Sequence, residues 1–111
     1  MSRPITNVEA AIVERALQVA LKSDVSANVI ASVRYLQVTA TCLCGCATVW
    51  FGPDGNASSG KIVADARATA GGEDIDVIVW SDQGAIVGLE FVGVGVVPLP
   101  DPSSVRGHDI A

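Results

Sequence analysis

The sequence predicts an α+β domain, one or two N-terminal helices packed on a roughly five-stranded antiparallel meander sheet. Three observations predict it. Apolar residues recur at helical spacing through the first part of the chain and at strand spacing from Arg34 onward. Short turn clusters separate the later runs, leaving no room for crossover helices. Half of the 111 residues are apolar and only 17% are charged, the reverse of a disordered composition and enough for one core without metals or disulfides.

Thr6-Asn7-Val8-Glu9 is a capping-box pattern. Val8, Ile12, Ala16, Val19 and Ala20 then form one stripe, widened by Val13, Leu17 and Leu21, so a helix is predicted over residues 6–22. Glu9, Glu14, Arg15, Gln18 and Lys22 fall largely outside the stripe, and Lys22 suits the negative end of the helix dipole. Asp24 or Ser26 can cap a short second helix reaching Val33, with Val29, Ile30 and Val33 toward the core. Its β-branched residues are poor helix formers.

From Tyr35 to Thr41 the period is two, with Leu36, Val38 and Ala40 on one face. Cys44-Gly45 supplies a tight turn into a second strand, residues 47–51. Gly52 to Gly60 is a turn cluster, in which Asn56-Ala57-Ser58 reads as a polar turn rather than a glycosylation site. Ile62, Ala64, Ala66 and Ala68 then alternate with Val63, Asp65, Arg67 and Thr69 as a half-exposed strand. After the turn at Ala70-Gly71-Gly72-Glu73, residues 75–80 and 85–94 form strands joined by a hairpin at Ser81-Asp82-Gln83-Gly84. Gly88, Gly93 and Gly95 predict bends or a bulge, and Pro98, Pro100 and Pro102 an extended tail. The whole chain, 1–111, reads as one domain, with flexible ends at 1–5 and 101–111.

Net charge is −5, and its sign is uneven. Residues 1–70 hold six bases and five acids, whereas residues 71–111 hold seven acids and one base, Arg106. Such a half repels phosphate backbones and attracts a basic protein. No apolar run reaches the roughly 18 residues of a membrane-spanning helix. Charges at Glu9, Glu14, Arg15 and Lys22 interrupt any signal-peptide stretch, so the expected location is the cytoplasm. Three cysteines, an odd number, argue against a disulfide framework there.

Chemistry has few places to reside. Cys42, Cys44 and Cys46 are the candidate metal or thiol site, but they lack an evident fourth ligand and have single-residue spacing, which is unusual for zinc. His108, the lone histidine, stands in the tail, and Arg34 or Arg67 are the bases that could activate a thiolate. Cysteines buried around a hairpin turn are the default expectation. Phosphate-binding loops and calcium loops are absent. Asp65, Asp76, Asp82 and Glu90 could converge as carboxylates, yet five aromatic residues are few for a glycan cleft. No cofactor is expected, and no enzymatic activity.

Leu36 through Phe51, with its Cys-Leu-Cys-Gly-Cys run, combines with Val79 through Phe91 and with Pro98-Leu99-Pro100. Over residues 34–100 this resembles small bacterial proteins of unassigned function that have a Cys-x-Cys-Gly-Cys strand, a tryptophan hairpin and a Leu-Glu strand. The resemblance implies no functional residue. In size and acidity the chain is also similar to immunity proteins that neutralise toxins. The expected function is therefore an acidic protein-binding module, an immunity-type inhibitor of a basic toxin or nuclease. Its expected contact residues are Glu73, Asp74, Asp76, Trp80, Asp82 and Glu90. The alternatives are a small metal- or thiol-dependent enzyme using the three cysteines, and a homo-oligomer pairing through an open edge at residues 91–97.

Overall fold

The structure, a computed structural model, describes residues 2–20, 26–52 and 60–108. It is an α+β fold with helix α1 (Asn7–Val19) packed on an antiparallel sheet. Strands β3 (Ala40–Thr41), β4 (Val49–Trp50), β5 (Lys61–Ala70), β6 (Glu73–Asp82) and β7 (Ala85–Val92) form that sheet in the order β3-β4-β7-β6-β5. The meander therefore runs only through β5, β6 and β7. Strand β4 pairs with the last strand rather than with its successor β5. A separate pair, β1 (Arg3–Pro4) with β2 (Gln37–Val38), ties the N-terminus to the chain entering β3. Thr39 divides the expected first strand between the two sheets, its hydroxyl donating to the carbonyl of Gly52 at 2.7 Å.

Helix α1 starts where the capping box predicts. Glu9 N–H donates to Thr6 Oγ1 at 3.1 Å, and Thr6 N–H donates to Glu9 Oε1 at 2.9 Å. The sequence stripe placed Glu9 outside the core, but the residue is only 4% exposed. Arg3 explains this: its guanidinium donates to both carboxylate oxygens, at 2.9 and 2.8 Å. Burial alone would raise the Glu9 pKa, but these bonds and the Thr6 amide outweigh it and hold it below the usual value. The helix ends at Val19 with Ala20 extended; Leu21, Lys22 and Asp24 lie outside the described residues. Ser26 caps helix α2 (Ala27–Ser32), and Val33 beyond it is fully buried. The Arg34–Glu14 ion pair, 2.7 Å, fastens this second segment to α1.

Under α1 the inward residues of β5 are Ala64, Ala66 and Ala68, opposite Val79, Val77 and Ile75 of β6. Ile12, Val13, Ala16 and Leu17 cover them from the helix. The small β5 side chains leave room for the larger helix residues Ile12, Val13 and Leu17, so dispersion contacts are dense. Two register shifts set the faces. The first inserts Val63 between the pairs Ile62↔Trp80 and Ala64↔Val79. Val63 therefore turns inward at 6% exposure and Ile62 outward at 49%, the reverse of simple alternation. The second inserts Val87 between Trp80↔Gly88 and Ser81↔Ile86, which keeps Ile86 and Val87 both buried.

The tail, expected to be loose after residue 101, docks along β5 instead. Arg106 and Arg67 exchange backbone hydrogen bonds of 2.8 Å, and Val105 is fully buried. Arg15 Nε donates to the Val105 carbonyl at 3.1 Å. The run at 91–97, expected as an open edge, is not one. Strand β7 lies inside the sheet between β4 and β6, and Val97 accepts a hydrogen bond from Ala47 N–H. The turn cluster at residues 53–59 lies outside the described residues.

Replacing Glu9 by Gln removes the charge from the Arg3 pair and the capping box. At neutral pH this should cost about 1–3 kcal/mol, toward the lower end because the Arg3 side chain is 44% exposed. Because the folded carboxyl titrates low, the contribution is complete above about pH 4.3 and disappears as pH falls through the folded value. Urea melts of the two proteins from neutral to acid pH should show the stability gap closing on the acid side.

Candidate functional site

Helix α1 covers one face of the sheet. On the other, cross-strand pairing collects Ile62 and Trp80, Ile78 and Glu90, Asp76 and Val92, and Trp50 with Gly88. Among the described residues no helix packs on this face. Both tryptophans of the chain therefore stand on one surface, with the two strands that bear them flanking β7.

Gly88 makes the arrangement fit. A Cβ at this position would fall onto Cε3 and Cζ3 of Trp50, so only glycine lets that ring lie across β7. Trp80 stands on the other side of Gly88, and its Nε1–H donates to Glu90 Oε1 at 3.0 Å. That bond is charge-assisted and fixes the indole edge. Glu90 is half-buried, as is each tryptophan.

The acids singled out in the sequence do not form one patch. Asp74, Asp76 and Asp82 share the outer face with Trp80 and Glu90, but at ~3.3 Å per residue Asp74 and Asp82 stand roughly 26 Å apart along β6. Arg106 pairs with Asp74 at 2.9 Å, Arg67 lies opposite Asp76, and His108 Nε2 meets Asp65 at 2.8 Å. Basic groups from β5 and the docked tail thus offset the acids at one end. Asp82 sits at the other end, by the β6–β7 turn, and Glu73 opens β6 next to the β5–β6 turn. Sequence reasoning missed this compensation because Arg67 and Arg106 reach the acids only through strand pairing and tail docking.

The cysteines sit beside this face, on the turn between β3 and β4. Gly45, at φ +92°, closes the turn with its N–H donating to the Cys42 carbonyl at 3.2 Å. Cys42 and Cys44 are joined as a disulfide, and Cys46 is free. This corrects two expectations. The odd cysteine count does not prevent a bridge, because the turn brings the two Cα atoms to 5.3 Å, within disulfide range. Nor are the cysteines a buried apolar group: Cys44 is exposed and the others are half-buried. Arg34 is held by Glu14, and Arg67 lies on the opposite edge strand, so neither serves the sulfurs.

All three cysteines line a cavity of about 280 Å³ that also includes Thr48, Trp50, Glu90, Phe91 and Val97. Thr48 is buried, and its hydroxyl accepts a hydrogen bond from Phe91 N–H at 3.0 Å, anchoring the cavity floor to β7. Asp65, Asp76 and His108 form a second group of clustered ligand-type side chains, on the outer face near the docked tail. No family model, curated protein or solved structure matches the chain.

If Trp50 lies across Gly88, the Gly88→Ala protein should lose about 1–3 kcal/mol to overpacking, and its tryptophan emission should shift as the ring is displaced. Denaturant melts and emission spectra check this; unchanged values in both would contradict the packing.

Proposed function

We propose that the protein is a binding module whose uncovered sheet face receives a basic protein. The observation that carries the proposal is that both tryptophans, Trp80 held by Glu90 and Trp50 across Gly88, share a sheet surface that no described helix covers. Tryptophan buries a large area at small entropic cost and is enriched at binding hot spots. Five outward acids, Asp65, Asp74, Asp76, Asp82 and Glu90, share the face with Arg67 and Arg106, so its balance is negative. Such a face draws a cationic partner and speeds its approach. Asp74, paired with Arg106, and Asp76, opposite Arg67, act as a rim, while Trp50, Trp80 and Glu90 form the centre.

An immunity-type inhibitor, blocking a basic toxin or nuclease by occlusion, is the most specific form of this proposal. Small size and the −5 net charge support it. The mode of action is binding alone, without catalysis.

The test is identification of a partner by cross-linking in the native cell, followed by calorimetry and stopped-flow measurements with the purified pair. Trp80→Ala should weaken binding by about 2 kcal/mol or more, roughly 30-fold. Asp82→Asn should chiefly slow association, with the difference from wild type shrinking at high salt. An acidic partner, or affinity indifferent to Trp50→Ala and Trp80→Ala, would refute the proposal.

A further inference from the structure

The sulfurs of Cys42, Cys44 and Cys46 all lie within 4.8 Å of one another. Backbone N–H groups are aimed at them. Cys46 N–H approaches Cys44 Sγ at 3.4 Å, and Val97 N–H approaches Cys46 Sγ at 3.4 Å. Donors of this kind offset the negative charge on metal-bound thiolates and fix their orientation. The turn is also held from outside: Ala47 N–H donates to the Val97 carbonyl at 2.9 Å, and Cys42 N–H to the Thr48 carbonyl at 3.2 Å. Three sulfurs are thus brought together by the backbone of the turn.

The donor set selects the ion. Among the described residues no histidine or carboxylate joins the three sulfurs, and His108 is engaged by Asp65 on the far edge of the sheet. Structural zinc requires four protein ligands. Three soft thiolates with no fourth partner suit a soft monovalent ion that accepts three-coordination. We propose that the reduced β3–β4 turn binds one Cu(I) ion through Cys42, Cys44 and Cys46.

The Cys42–Cys44 disulfide gates that site. While it stands, two of the three donors are spent on each other and only Cys46 is available. Opening it takes a dithiol reductant, which gives two electrons and two protons to the bridge, leaving two protein thiols and becoming a cyclic disulfide itself. Each thiol that then ligates releases its proton to water. The three sulfur ligands lie outside the proposed partner-binding centre, although Trp50 and Glu90 border both.

The experiment titrates the full chain, reduced with dithiothreitol and desalted without oxygen, against Cu(I) held in a coloured bicinchoninate complex. Reduced protein should withdraw one Cu(I) per chain and quench Trp50 emission, while protein left oxidised withdraws none. Cys46→Ser, confirmed as folded by circular dichroism, should bind more than about 100-fold more weakly, beyond the roughly 10–100-fold that losing an outer partner costs. Gln18→Ala, on the exposed side of α1, should bind as the parent does. No withdrawal by reduced protein, wild-type affinity in Cys46→Ser, or tighter binding of Zn(II) in a parallel titration would overturn the proposal.

Discussion

Helix α1 rests on strands whose inward side chains are mostly small, and this closeness governs the rest of the molecule. Ala64, Ala66 and Ala68 leave room for Ile12, Val13, Ala16 and Leu17 to reach Val77 and Val79. A helix that covers two strands, β5 and β6, needs a defined face beneath it. The extra residues at Val63 and Val87 supply it by shifting parity where plain alternation would bury or expose the wrong neighbour. The same shift that takes Val63 inward sends Ile62 out to join Trp80. The composition of the uncovered face is therefore a consequence of how the core is filled.

That face combines two kinds of surface. At the end near the β5–β6 turn, charges from β5, β6 and the docked tail answer one another, and exposed pairs of this kind contribute little to stability. Around Gly88 the surface is aromatic, with one carboxylate held by an indole N–H. In the proposed binding role, energy for association would reside in the second region and long-range steering in the residual negative charge. Trp50 also borders the cysteine cavity, so a partner seated on the tryptophans would stand next to the turn. Oxidation or ion loading at that turn would be felt at the edge of the contact.

The docked tail does structural work that a run of prolines conceals. Fixed φ angles at Pro98, Pro100 and Pro102 keep the chain extended and lower the entropy lost on docking. Asp101 then caps a single 3-10 turn at Pro102–Ser104, and Arg106 makes a backbone bridge to Arg67. Its side chain meets Asp74. The open edge of β5 is thereby closed at its centre.

By itself the sequence determined the elements. The capping box at Thr6 and Glu9, the helical stripe, the Ser26 cap and the hairpin at Ser81–Gly84 are local, and local chemistry is written in neighbouring residues. It also marked Trp80, Glu90 and the cysteine run as the residues worth following. Only the tertiary structure decided the pairing of β4 with β7, the bulges at Val63 and Val87, the burial of Glu9 against Arg3 and the docking of the tail. Each joins residues distant in the chain or depends on a one-residue change of register, and the choice among such pairings is made by how the whole core packs. For the same reason the acids that look unopposed along the chain meet their bases only in space.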